Sequence, residues 1–204
     1  IENSSTIAAG TTVNADSINN TGTITAGTAL TAQSVSNTGS IQTAELKVTT
    51  GLTNSGSVTS TGKAEITALD NQTGGVLTLA EALVNGGANA GELSASGLLT
   101  LTDTFSNTGT LTADADLVIA GNADNSGTLK AENGKTTITG TLSNSNALTL
   151  ADALLTGTFT NTDKTAEFGK LTANEGSVIN ADGGAIQVGD FSAEGMTYNQ
   201  TGGT

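Results

Sequence analysis

The chain has 204 residues, a formal net charge of −13 (six Lys against 19 acidic residues) and no Arg, His, Cys, Pro or Trp. Without His and Cys it lacks the usual zinc and copper ligands and the Ser-His and Cys-His nucleophile pairs, and without Arg it cannot form bidentate phosphate clamps. The charge disfavours nucleic acid and anionic membrane surfaces, whose binding rests on neutralising phosphate with Lys and Arg.

Along the chain an asparagine returns every 17 to 19 residues, at Asn3, Asn20, Asn37, Asn54, Asn71, Asn89, Asn107, Asn125, Asn144, Asn161, Asn180 and Asn199. A glycine usually follows two residues later and an aliphatic residue two after that, as in Asn20-Thr21-Gly22-Thr23-Ile24 and Asn125-Ser126-Gly127-Thr128-Leu129. A fixed period of this kind means one supersecondary unit stacked on itself. The apolar fraction is only 35%, a composition compatible with disorder. The apolar residues nevertheless keep register with the asparagines, which predicts an ordered chain.

In the coil that opens at Asn20, Ile24 and Ala26 alternate with Thr23 and Thr25, Leu30 and Ala32 alternate after Gly27, and Val35 makes a third step before Asn37. Alternation with period two is the mark of a strand with one buried face. The pattern recurs at Leu111, Ala113, Leu117 and Ile119, and again at Leu129, Ala131 and Ile138. Three short strands per coil, with Gly, Asn and Ser at the corners, predict an all-β parallel β-helix of about eleven coils, one solenoid over residues 1–204. About five aliphatic or alanine side chains per coil would face inward. A helical repeat of the tetratricopeptide or ankyrin type does not fit in so short a period, and a leucine-rich repeat needs leucines at fixed offsets that are absent.

The asparagines are expected inside one corner, each amide donating to the next in a ladder. The glycine two residues on is expected to give that corner a left-handed backbone. Asn71-Gln72-Thr73-Gly74-Gly75-Val76 carries one extra residue, and Asn180-Ala181-Asp182-Gly183-Gly184 and Asn199-Gln200-Thr201-Gly202-Gly203 look like similar variants. Asn161-Thr162-Asp163-Lys164-Thr165 loses both glycine and aliphatic residue, so its coil is expected to be the least regular. No run of 18 apolar residues occurs, and the opening Ile1-Glu2-Asn3 lacks the basic and apolar regions of a signal peptide. The chain therefore reads as a processed subunit or a segment of a longer repeat protein.

Four groups of residues invite a functional reading. Asp114, Glu132 and Asp152 fall at nearly the same offset in successive coils and could hold Ca²⁺, although a solvated acidic face with Lys130 and Lys135 nearby explains them as well. Outward threonines (Thr21, Thr23, Thr25, Thr38, Thr108, Thr110 and Thr112) suggest an ice- or surface-binding array, interrupted at Gln42, Glu92, Lys130 and Lys164. Glycan hydrolysis would need a carboxylate pair across a cleft, but the few aromatics, Phe105 and Phe159 among them, fall at inward positions. The glycosylation sequons at Asn3, Asn19, Asn71 and Asn199 involve three expected ladder members. The sequence thus assigns no catalytic residue, no metal ligand and no cofactor.

The pattern Asn-x-Gly-x-Ile/Leu-x-Ala, carried most clearly by Asn107-Thr108-Gly109-Thr110-Leu111-Thr112-Ala113 and Asn125-Ser126-Gly127-Thr128-Leu129-Lys130-Ala131, resembles the filamentous haemagglutinin repeats. These belong to two-partner-secretion exoproteins of Gram-negative bacteria, including adhesins and the stalks of contact-dependent inhibition toxins. The resemblance covers nearly the whole chain. It implies a right-handed parallel β-helix, an extracellular or cell-surface location, and a non-enzymatic stalk or adhesin role with host or neighbouring cells as partners. The alternative is a filament subunit whose partner is itself, joined end to end through uncapped β-helix ends.

Overall fold

The computed structural model describes residues 1–202, so Gly203 of the last glycine-pair variant lies outside the described residues. It is a parallel β-solenoid of about 11 turns, with 23 strands and no helix among the described residues. Each strand pairs in parallel with its equivalent one coil away. In the second coil the three legs run together as one bent strand, Thr23–Asn37, whose inward residues are Ile24, Ala26, Leu30, Ala32, Val35 and Asn37. The outward positions between them are mostly Thr, Ser, Ala and Gln. β-branched and small polar side chains suit that half-exposed pleated surface.

Five apolar columns follow from this register. One runs Ile24, Ile41, Val58, Leu77, Leu93 and Leu111, with every member at most 1% exposed. Another alternates sizes. Leu69 lies under Gly87, Gly87 under Phe105, and Phe105 under Ala123 and Leu142. The bare glycine and the alanine give the phenyl ring its room. Phe159, higher in the same column, meets Phe168 of the next coil edge to face at 5.2 Å between ring centroids, a favoured aromatic geometry. Phe105 and Phe159 are thus core residues, as their inward spacing predicts.

Among the described residues, buried polar side chains in the core columns are satisfied locally, with one exception. The Thr43 hydroxyl donates to the Glu45 carbonyl and the Ser60 hydroxyl to the Ala44 carbonyl. Thr136, fully buried between Leu117 and Ala153, has a hydroxyl with no hydrogen-bond partner.

The asparagine ladder runs from Asn3 to Asn161. Each Nδ2 donates to the Oδ1 of the asparagine one coil on, at 2.7–2.9 Å. The same Nδ2 also reaches carbonyls at its own corner and the next, such as Gly22 and Ser40 around Asn20. Every bond points the same way, towards the C-terminal end.

Asn180 and Asn199 do not belong to the ladder. The residue paired with Asn161 is Ala181, and Asn180 pairs with Thr160. The irregular corner at residues 162–165 adds one residue and the turn between Ala173 and Val178, where Gly176 is left-handed (φ 81°), adds two, which makes the spacing at that step 20 residues where the sequence suggests 19. A one-residue slip along a strand turns a side chain to the opposite face. Asn180 therefore sits in the outer column and accepts from Asn199 Nδ2 on its Oδ1, while Asn161 Nδ2 ends the ladder on the carbonyls of Lys164 and Ala185.

The corner glycines are also used differently from the left-handed expectation. Gly22, Gly39, Gly56, Gly109 and Gly127 have no positive φ. They are required because each stacks on the backbone carbonyl of the coil below: a Cβ on Gly127 would run into the Gly109 carbonyl, and one on Gly39 into the Gly22 carbonyl. Left-handed backbone is confined to other glycines, such as Gly74 (φ 85°) in the lengthened corner after Asn71 and Gly183 (φ 88°) after Asn180.

Candidate functional site

The solenoid offers three lateral faces and two ends. On the first leg of each coil the outer column reads Thr25, Gln42, Thr59, Thr78, Ser94, Thr112, Lys130 and Thr149. Beside it, Thr110 stacks between Glu92 and Thr128. Gln42, Glu92 and Lys130 thus break the threonine array at the places the sequence indicates, while Lys164 lies in a corner outside the strands.

The carboxylates of the calcium reading do not stack. Asp152 pairs with Lys135 below and Lys170 above. Between the pairs Ala131–Leu150 and Lys135–Asp152, three residues (Glu132, Asn133 and Gly134) bulge against Ala151 alone. Equal offsets in the sequence conceal this bulge, and it carries Glu132 out of line with Asp152. Among the described residues no group of three or more acidic side chains is placed to hold a metal ion. Of the sequon asparagines, Asn3 and Asn71 are ladder members and buried, whereas Asn19 and Asn199 are exposed.

What the offsets conceal instead is a column of alternating charge on the second leg. Glu45, Lys63 and Glu81 follow one another from coil to coil, then comes Leu98, then Asp116, Lys135, Asp152, Lys170 and Asp190. The backbone N–H of Lys135 donates to Asp116 Oδ1 at 2.9 Å. Leu98, 40% exposed, interrupts the charges. The adjoining outer column holds Lys47 and Glu65 and then alternates Leu83, Thr100, Val118, Thr137, Leu154 and Thr172, all half-buried.

Ion pairs close at one place only among the described residues. Glu65 takes Lys63 Nζ at 2.7 Å and Lys47 Nζ at 3.4 Å. The hydrogen bond from Lys63 and the two positive charges hold the Glu65 carboxyl below the usual glutamate range, and the same bond raises the Lys63 ammonium above its ordinary value.

The ends differ from the faces. In the last described coil, Ile186, Val188, Phe191, Met196 and Tyr198 continue the inward columns and, among the described residues, line an open apolar depression of about 440 Å³. Phe191 and Tyr198 are 51% and 49% exposed. At the N-terminal end Ile1 is exposed, and Asn3 Oδ1 accepts from the Ser5 N–H in place of a ladder amide. No family model, no curated protein and no solved structure matches the chain.

Proposed function

We propose that the chain is a non-enzymatic, rigid β-helical stalk or adhesin segment of a secreted exoprotein, displayed outside the cell or on a bacterial surface. The observation that carries this reading is the unbroken run of amide bonds from Asn3 to Asn161. It ties ten successive corners into one stiff element while leaving the lateral faces free to vary. Resemblance to filamentous haemagglutinin repeats supports the surface location and the host or neighbouring cell as partner. The acidic balance speaks against nucleic acid, and no helix among the described residues is long and apolar enough to cross a membrane.

A second reading, a filament subunit, takes its support from the apolar row at Ile186, Val188, Phe191 and Tyr198, open among the described residues. An unpaired sheet edge with apolar columns beneath it is a template for another chain. Negative-stain electron microscopy over a concentration series separates the two. Isolated rods about 50 Å long at every concentration support the stalk. Long uniform filaments that grow with concentration make the ends the functional sites, and round particles remove both readings.

A further inference from the structure

We propose that the second lateral face, with its column of alternating charge, docks against the same face of a second copy, the two rods running antiparallel. This concerns the side of the rod and stands whichever reading of its ends is right.

Charge order along the column selects this arrangement. In a parallel, in-register pair related by a two-fold axis along the rod, the column meets itself at equal height, so Asp116 faces Asp116 and Lys135 faces Lys135. Like charges opposed at every level but that of Leu98 make that pair unfavourable. Reversing one rod about a two-fold axis that runs along the strands, between the levels of Asp116 and Lys135, brings every lysine of the column opposite a carboxylate. Asp116 then faces Lys135 of the second copy, Glu81 faces Lys170 and Lys63 faces Asp190. The symmetry doubles each pair, as an isologous interface requires. Leu98 faces Asp152, the single contact without complementary charge.

The neighbouring column fits the same arrangement: Val118 meets Thr137, Leu83 meets Thr172 and Thr100 meets Leu154, with no charge buried opposite a like charge. Lys135 and Lys170 close no ion pair within their own chain among the described residues, which leaves both ammonium groups for a partner. Packed sheets lie about 10 Å apart, a span that a lysine and a carboxylate bridge together. At physiological salt the Debye length of about 8 Å screens the repulsion between two acidic rods more than it screens pairs in contact.

The test is sedimentation velocity of the full chain at physiological ionic strength, with Asp116→Lys and Lys135→Glu examined alone and mixed. Each substitution alone opposes like charges across the two-fold axis, whereas in the mixed pair Lys faces Glu and Lys faces Asp. The expected result is a dimer of the unsubstituted chain, at least a tenfold weaker association for each variant alone, and recovery of a one-to-one dimer on mixing. Both positions are exposed, and circular dichroism confirms that the fold survives. The pair Glu81→Lys and Lys170→Glu repeats the test at an independent level. The proposal is overturned if the unsubstituted chain stays monomeric into the millimolar range, if the single variants associate undiminished, or if mixing restores nothing. Association only into end-to-end filaments, unchanged by all four substitutions, overturns it as well.

Discussion

At the scale of the residue, the asparagines separate into two kinds that share one period in the sequence. Asn107 lies in the ladder, accepting from Asn89 and donating to Asn125, while Asn180 lies outside it. Asn107→Ala should cost about 1–3 kcal/mol for each buried group left without a partner, and Asn180→Ala should fall within about 0.5 kcal/mol of the parent. Equilibrium unfolding in urea measures both, and equal costs would contradict the assignment of Asn180 to the outer column. Thr136 makes the opposite prediction. Its hydroxyl is buried without a partner, so Thr136→Val should stabilise the chain by on the order of 1 kcal/mol. Glu65 makes a third. Held low by Lys63 and Lys47, it favours the folded state above its unfolded pKa, and that contribution is lost as the pH falls through its lowered folded value. Its carboxyl carbon, followed by NMR, should titrate below the usual glutamate range and move back towards it in Lys63→Met. Both side chains are solvent-exposed, so the effect on stability is small and shrinks with salt.

At the scale of the element, the coil is a set of three short legs whose corners decide what each can tolerate. Gly127 stacks on the Gly109 carbonyl, and Gly127→Ala should cost about 1–3 kcal/mol through forced backbone movement. Gly10, with open space around its Cβ position and no positive φ, should accept alanine with no loss and a gain of up to about 1 kcal/mol. Thermal unfolding of the two variants makes the comparison, and a neutral Gly127→Ala would remove close stacking as the reason for the corner glycine. The legs themselves were legible in the sequence, because inward residues such as Ile24, Ala26, Leu30, Ala32 and Val35 carry a period of two that only a strand satisfies. The corners were less so. Extra residues are absorbed as a left-handed turn at Gly74, which makes Leu77 and not Val76 the inward aliphatic, as a bulge at Glu132 to Gly134, or as a left-handed turn at Gly176 before Ala181, and spacing alone does not distinguish them. That is why Asn180, Asn199 and Asp152 lie away from the columns their offsets suggest, and why the charge column from Asp116 to Asp190 becomes visible only once register is known.

At the scale of the molecule, stability is close to a sum of like coils with nearest-neighbour terms. Removing one whole period, residues 37–53, joins Ser36 to Asn54 and preserves every column. The shortened chain should fold, with its urea m-value reduced by roughly one part in eleven, since m follows the surface exposed on unfolding. Removing residues 37–52 instead leaves one residue too many, which the adjoining corner must absorb if the following leg is not to turn inside out, so that chain should unfold at lower urea than the whole-period deletion. Circular dichroism across a urea titration distinguishes the two, and equal midpoints would show that the columns do not set the register.

The direction of the amide bonds gives the rod an order of assembly. As the chain becomes available from its N-terminus, every completed coil presents an amide donor at its leading edge, and the next asparagine arrives with the oxygen that donor needs. Each step closes a loop of only 17 to 19 residues between Asn3 and Asn161, and loop closure at that length is inexpensive. The structure can therefore grow by templating, like a zipper with one starting end, and the ladder position of the growing edge passes from an amide to a methyl group where Ala181 follows Asn161.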